Sequence, residues 1–242
     1  MPRGQPDYGM YAVKEVSASV SDMGEVAARL GSIVTYDKRG DVVFFDDFEE
    51  PILRWAADVP DALTYARLDS ASAKSGSQAL KLHTQNVLNE IASMSRLFNV
   101  LVSKRLGHEI SFSLLSNDCE LRSFVSVLGD PRTYEGEVMF DNFPPALYIE
   151  TAPDVYTKIA DIGSVERSIF MFQTLKLVVD FNTNKYVRLL FGNVEYDLSA
   201  YDLVSIGTAL APQVSTGAYI YNKAAAGGDV WLDDSIFTQA EP

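Results

Sequence analysis

Along most of the chain, apolar residues alternate with polar ones or fall in short solid runs between turn residues, a pattern that suits pleated strands rather than helices. Strands are predicted at 33–35, 42–48, 64–68, 78–84, 91–98, 104–115, 120–129, 137–140, 146–150, 157–161, 170–180, 186–191, 194–197, 204–210, 217–222 and 230–238. So many short strands with no long helix between them predict antiparallel sheets rather than a βαβ fold. The plainest hairpin runs from Val178 to Val187, with Asn182-Thr183-Asn184 supplying turn and left-handed backbone chemistry. Gly192-Asn193 predicts the next turn.

Residues 1–40 read differently. Pro2, Gly4, Pro6 and Gly9 make an irregular lead. One short helix is expected at about 22–30, with Ser21 or Asp22 as N-cap, Glu25 in the first turn and Gly31 at the C-terminal left-handed position. Its apolar stripe of Val26, Ala27 and Leu30 is too narrow to fold alone, so the helix is expected to dock. The expected division is an arm over 1–40 and a β-sandwich over 41–242.

Composition sharpens this picture. The 242 residues are 47% hydrophobic and include 13 Phe and 12 Tyr, enough for a substantial core, and a single domain plus an appendage fits the length. Net charge is −13 with Lys and Arg scattered, never more than two together, so no basic track exists for a phosphate backbone and nucleic acid is not an expected partner. Cys119 is alone, which excludes an intrachain disulfide and predicts a small buried hydrophobe. The opening residues lack the apolar stretch of a signal peptide and no apolar run spans a membrane. Synthesis and retention in a cytosol, or release by lysis, is expected.

Four segments resemble a known group: Phe44-Phe45-Asp46-Asp47-Phe48-Glu49 with Trp55; Ser75-Gly76-Ser77-Gln78-Ala79-Leu80-Lys81-Leu82; Leu175 to Asp180 with its hairpin; and Val230-Trp231-Leu232-Asp233-Asp234-Ser235-Ile236-Phe237. Over about residues 42–240 they look like the concanavalin A-like and carbohydrate-binding-module jelly rolls. The resemblance implies an all-β, antiparallel, two-sheet jelly-roll sandwich with its opening and closing strands side by side. It also implies a structural Ca²⁺ held by Asp47, Glu49 and Asp234 with carbonyls near Ser77, against the plainer reading that these acids cap strand ends. Gly4-Gln5-Pro6-Asp7-Tyr8-Gly9 is similar to N-termini of uncharacterised phage and prophage proteins.

Candidate chemistry is sparse. The concanavalin A-like glucanases carry a Glu-x-Asp-x-x-Glu strand, which this sequence lacks; Glu135-Gly136-Glu137 with Asp141 comes nearest, followed by Asp46, Asp47, Glu49 and Glu50. His83 and His108 stand apart without ligand spacing. Glycan stacking points to Trp55, Tyr219 and Tyr221, the last two alternating onto one face, with Tyr134, Tyr148, Tyr156 and Tyr201 as further aromatics, while Trp231 is expected in the core. On this basis the chain is expected not to be an enzyme. The leading expectation is a structural virion protein, a capsid decoration, head-fibre or tail surface subunit. It would assemble as a homo-oligomer or with other virion proteins through an arm that includes Tyr8, Tyr11, Val26 and Leu30. The alternatives are a carbohydrate-binding module, placed outside the cell, and a concanavalin A-like glycoside hydrolase.

Overall fold

A computed structural model describes residues 39–242 apart from 116, 117, 130, 164, 166, 208 and 209. The expected arm helix, the strand at 33–35 and Tyr8, Tyr11, Val26 and Leu30 lie outside the described residues. The sandwich occupies Gly40–Pro242. Its strands are β1 (Asp41–Asp46), β2 (Ala56–Asp58), β3 (Tyr65–Asp69), β4 (Ala79–Thr84), β5 (Ile91–Phe98), β6 (Arg105–Leu114), β7 (Cys119–Leu128) and β8 (Arg132–Asn142). They continue with β9 (Pro145–Ala152), β10 (Val155–Asp161), β11 (Gln173–Asp180), β12 (Lys185–Phe191), β13 (Val194–Asp197), β14 (Val204–Gly207), β15 (Gln213–Asn222) and β16 (Gly228–Gln239).

The strands form two eight-stranded antiparallel sheets. The first runs β13-β12-β11-β6-β16-β4-β3 with β1 also against β16; the second runs β10-β9-β8-β7-β15-β5-β2 with β14 also against β8. This is the expected jelly-roll sandwich, and its opening strand β1 lies beside its closing strand β16, pairing Asp46 with Ser235. One side of β16 is shared in sequence: β4 takes Gly228–Leu232, and β1 takes Ser235–Gln239. At the handover the register shifts between Asp233 and Ile236, and Asp234 takes a left-handed φ of 48°.

Alternation decides which face of each strand is interior. Leu106, Ile110, Phe112, Leu175, Leu177 and Val179 of the first sheet meet Leu121, Val125, Val138, Phe140, Leu147 and Ile149 of the second in one core. Phe140 lies 5.3 Å from both Phe112 and Phe191, with fully buried rings contributing about 2–3 kcal/mol each. The predicted hairpin is β11–β12, with Asn184 at φ 54° and Asp180 Oδ1 accepting the Asn182 N–H at 2.8 Å. Cys119 is buried, as expected. Trp231 is buried too, but outside that core: it pairs with Ser113 and Lys81 on the opposite face, where the Lys81 ammonium sits 4.7 Å above its ring.

Candidate functional site

The face of the second sheet turned away from the core carries a polar group that the strand pattern alone places only piecemeal. On β7, core-facing Leu121 and Val125 leave Glu120, Arg122, Phe124 and Ser126 on the other side, and on β8 core-facing Val138 and Phe140 leave Glu135, Glu137 and Asp141 there. Pairing aligns them: Phe124 with Glu137, Ser126 with Glu135, Arg122 with Tyr219, and Glu120 with Tyr221. The β9–β10 hairpin adds Glu150 opposite Tyr156.

Carboxylate oxygens of Glu135, Glu137 and Glu150 lie within 4.8 Å of one another. Glu137 is the centre. Tyr156 donates to its Oε1 at 2.5 Å, Tyr219 donates to its Oε2 at 2.7 Å, and Arg122 Nη1 stands 3.7 Å away. Arg122 also donates to Tyr156 Oη at 2.6 Å and to Glu120 Oε2 at 2.8 Å, with its guanidinium 4.6 Å from the ring centres of Tyr156 and Tyr221. Glu150 accepts the Asp154 N–H at 2.8 Å, in a turn where Asp154 takes φ 60°.

Three carboxyls this close cannot all ionise freely. Burial pushes Glu137 up to about 7 even though the two tyrosines and Arg122 favour its charge. Burial, reinforced by the charges of Glu137 and Glu150, pushes Glu135 to about 7 as well. Glu150 is raised by burial. Burial and the neighbouring Glu137 raise Tyr156 and Tyr219, so both stay protonated donors at neutral pH. Near neutrality the group therefore holds and exchanges protons, the property required of an acid–base pair.

The residues singled out for calcium lie elsewhere. Glu49 and Asp234 do converge on the loop around Ser77, but protein donors take their oxygens. Glu49 accepts from Ser77 N–H at 2.8 Å, Ser77 Oγ at 2.7 Å and Gln78 N–H at 2.9 Å. Burial works against its charge and these donors outweigh it, holding Glu49 below the usual range. Asp234 Oδ2 pairs with the Lys74 ammonium at 3.0 Å, and Asp47 accepts the Glu49 N–H at 3.3 Å. Among the described residues, the group of three acids with oxygens within 4.8 Å of one another is Glu135, Glu137 and Glu150.

Of the stacking candidates, Tyr219 and Tyr221 share the site face as expected, with Tyr221 donating to Asn89 Oδ1 at 2.5 Å. Trp55 is instead 4% exposed, packed edge-on to Phe44 and donating its indole N–H to Asp46 Oδ2 at 3.0 Å, so it belongs to the core and offers no stacking surface. His83 pairs with Asp229 at 2.7 Å, and His108 is wholly buried. The sequence pattern does not single out Arg122 or Glu150. The only local signals are the i, i+2 pairs Glu120/Arg122 and Glu135/Glu137, which share a face at period two.

No family model matches the chain, and no curated protein matches it. Solved structures do. The chain is similar to an endo-β-1,4-glucuronan lyase from the fungus Trichoderma reesei, with TM-score 0.59 and 10% identity over 82% of this chain and 96% of the lyase. It is similar to a Bacillus subtilis protein of unknown function with a galectin-like fold, with TM-score 0.54 and 10% identity over 84% and 98% of the two chains. A cellulose-induced protein matches with TM-score 0.53 and 15% identity over 81% and 96%. At these identities the likeness is one of fold: a concanavalin A-like, galectin-like jelly roll.

The expectation that the chain is not an enzyme does not stand, because this fold is shared by enzymes and by lectins and leaves enzyme status open. That expectation rested on the lack of a catalytic carboxylate pattern along the sequence and on residues 1–40 read as an assembly arm. A polysaccharide lyase shares this fold, and the sheet gathers across two strands the carboxyls that no single strand displays.

Proposed function

We propose that the protein acts on polysaccharide chains, cleaving a glycosidic bond at the outward face of the second sheet by general acid–base chemistry. The observation that carries this reading is the group of three carboxyls within 4.8 Å beside a face lined by tyrosines. Retaining hydrolysis requires two carboxyls about 5–5.5 Å apart, one protonated and one ionised, and this spacing is compatible with that requirement. Glu137, supported by Arg122, Tyr156 and Tyr219, takes the part of the ionised carboxylate. Glu135 is half-buried and reached by Ser126 rather than by the arginine, and takes the part of the proton donor. Tyr221, stacked on Arg122, extends the face that would meet sugar rings.

The test is release of reducing ends from a panel of neutral and acidic polysaccharides, with absorbance of unsaturated uronides read in parallel to distinguish elimination from hydrolysis. Loss of product with Glu137→Gln and with Glu135→Gln supports the reading. Equal product from both variants, or none from the wild type on any polysaccharide, refutes it.

A second reading, glycan binding without cleavage, is favoured by the fact that both Glu137 oxygens already receive hydrogen bonds from tyrosines. Calorimetry on the same panel separates it, since the wild type would then bind a polysaccharide from which it releases no product. A place on a virion surface rests on residues 1–40, and particle binding after deletion of residues 1–32 tests that placement.

A further inference from the structure

At the site β8 stays paired with β7 along one edge, but its other edge changes partner. Strand β8 pairs with β14 over Arg132–Glu135 and with β9 over Val138–Asn142, leaving Gly136 and Glu137 at the changeover between two partners. Into that gap comes a hydroxyl from the opposite sheet. Tyr186, on β12, crosses the core at 1% exposure; its Oη accepts the Glu137 N–H at 3.0 Å and donates to the Glu150 carbonyl at 2.7 Å, with the Glu137 carbonyl at 3.2 Å. One phenol thus ties together the backbones of two of the three site carboxyls.

The neighbouring sequence is shaped for this insertion. Gly136 faces the core, and a Cβ there would lie 2.6 Å from Val179 Cγ1 and 3.2 Å from Tyr186 Cε1, so a side chain would displace the ring. On its own sheet Tyr186 is held through its N–H to the Tyr201 carbonyl at 3.1 Å and by pairing with Val179.

We propose that Tyr186 is a positioning residue, which sets the separation and the dryness of the Glu135, Glu137 and Glu150 carboxyls by closing the strand changeover beneath them. The inference rests on the reading of these carboxyls as an acid–base site. Burial raises the Tyr186 phenol, which keeps its proton at any pH the site works in. Without the hydroxyl, a buried N–H and a buried carbonyl lose their partners, and opening of the gap to water is the cheapest relief. The groups whose charge then meets new solvent are Glu135 and Glu137 on β8, Glu150 on β9, Tyr156 on β10, Arg122 and Glu120 on β7, Tyr219 and Tyr221 on β15, and Asp154 in the turn.

The deciding measurement is carbon-13 NMR titration of side-chain carboxyls in the full chain, wild type against Tyr186→Phe. The expected result is a downward move of the Glu135 and Glu137 midpoints by about one pH unit or more, toward the ordinary range. Asp233 supplies the control: it too is pushed to about 7, by burial and by Asp234, but it sits on β16 of the other sheet and should not move. Unmoved glutamates in a folded variant overturn the proposal, as does an equal move of Asp233, which would mean general loosening. If Tyr186→Phe does not fold, ortho-fluorotyrosine at 186 keeps the ring's shape while altering the hydroxyl's bonding. The same selective shift, smaller, is then expected, and its absence overturns the proposal. In the sugar-release assay Tyr186→Phe should lower kcat about tenfold with KM little changed and move the pH optimum to the acid side. A wild type that releases no sugar removes the acid–base reading and leaves the titration to decide whether Tyr186 positions the carboxyls.

Discussion

His108 on β6 and Ser123 on β7 join the two sheets through the core, with His108 Nδ1 2.9 Å from Ser123 Oγ and its Nε2 3.0 Å from Ser235 Oγ. Both hydroxyls can match a neutral imidazole, one donating and one accepting, and burial lowers the histidine to about 3. The unfolded chain takes up this proton near 6.5, well above the folded one. Stability from this group is therefore complete above about 6.5 and drains away as pH falls toward 3, by several kcal/mol in the limit. Urea unfolding between pH 7 and 4 should show this slope, and His108→Gln should flatten it while lowering stability overall.

Glu137→Gln is expected to act with the opposite sign. Since burial raises the folded carboxyl to about 7, ionisation penalises the fold as pH rises from the ordinary value near 4.5 through 7. Relative to wild type, the variant should be more stable at pH 8 by roughly 1–3 kcal/mol and near neutral in effect at pH 4.5. Matched unfolding curves at the two pH values measure the difference.

Asp46 organises the first turn after β1, accepting the Phe48 N–H at 3.0 Å and the Trp55 indole N–H at 3.0 Å. Phe48 has a left-handed φ of 57°, a strained state that this acceptor supports. Asp46→Ala should cost about 2–4 kcal/mol and expose Trp55, seen as a red shift in its fluorescence, with Asp46→Asn milder.

Glu241 is buried between two cations, with Oε1 2.7 Å from Lys176 Nζ, Oε2 bonded to Arg188, and Thr238 donating at 2.6 Å. Replacing it by Ala leaves Lys176 and Arg188 buried without this counter-charge, an effect of about 3–5 kcal/mol. Glu241→Gln should recover part of the loss in chemical denaturation, because the Thr238 hydrogen bond survives.

The strands are largely legible in the sequence because their signal is local. The 91–98 and 194–197 segments match β5 and β13 to the residue, whereas β8 begins at Arg132 rather than 137 because its first half, Arg132-Thr133-Tyr134-Glu135-Gly136, is mostly polar and shows no apolar alternation. The short, exposed β2 carries no alternation to read. The Asp233-Asp234 pair stands out along the chain for its acids, but its position at a bulge gives it a different part in the fold, where Asp233 Oδ2 accepts the Lys74 and Ser75 N–H groups at 2.8 and 3.1 Å. Trp55 reads as a surface aromatic because nothing along the chain shows that Asp46 waits for its indole.

What the sequence by itself determined is the all-β sandwich, since period-two alternation and turn residues act within a few positions of one another. Only the tertiary structure decided that Glu135, Glu137, Glu150, Arg122, Tyr156 and Tyr219 form one group, because cross-strand register joins residues far apart in the chain. The reach of Tyr186 to the same point is of a different kind, since it comes from the other sheet. It depends on how one sheet lies against the other, a relation held in the packing of the whole core and written in no single segment.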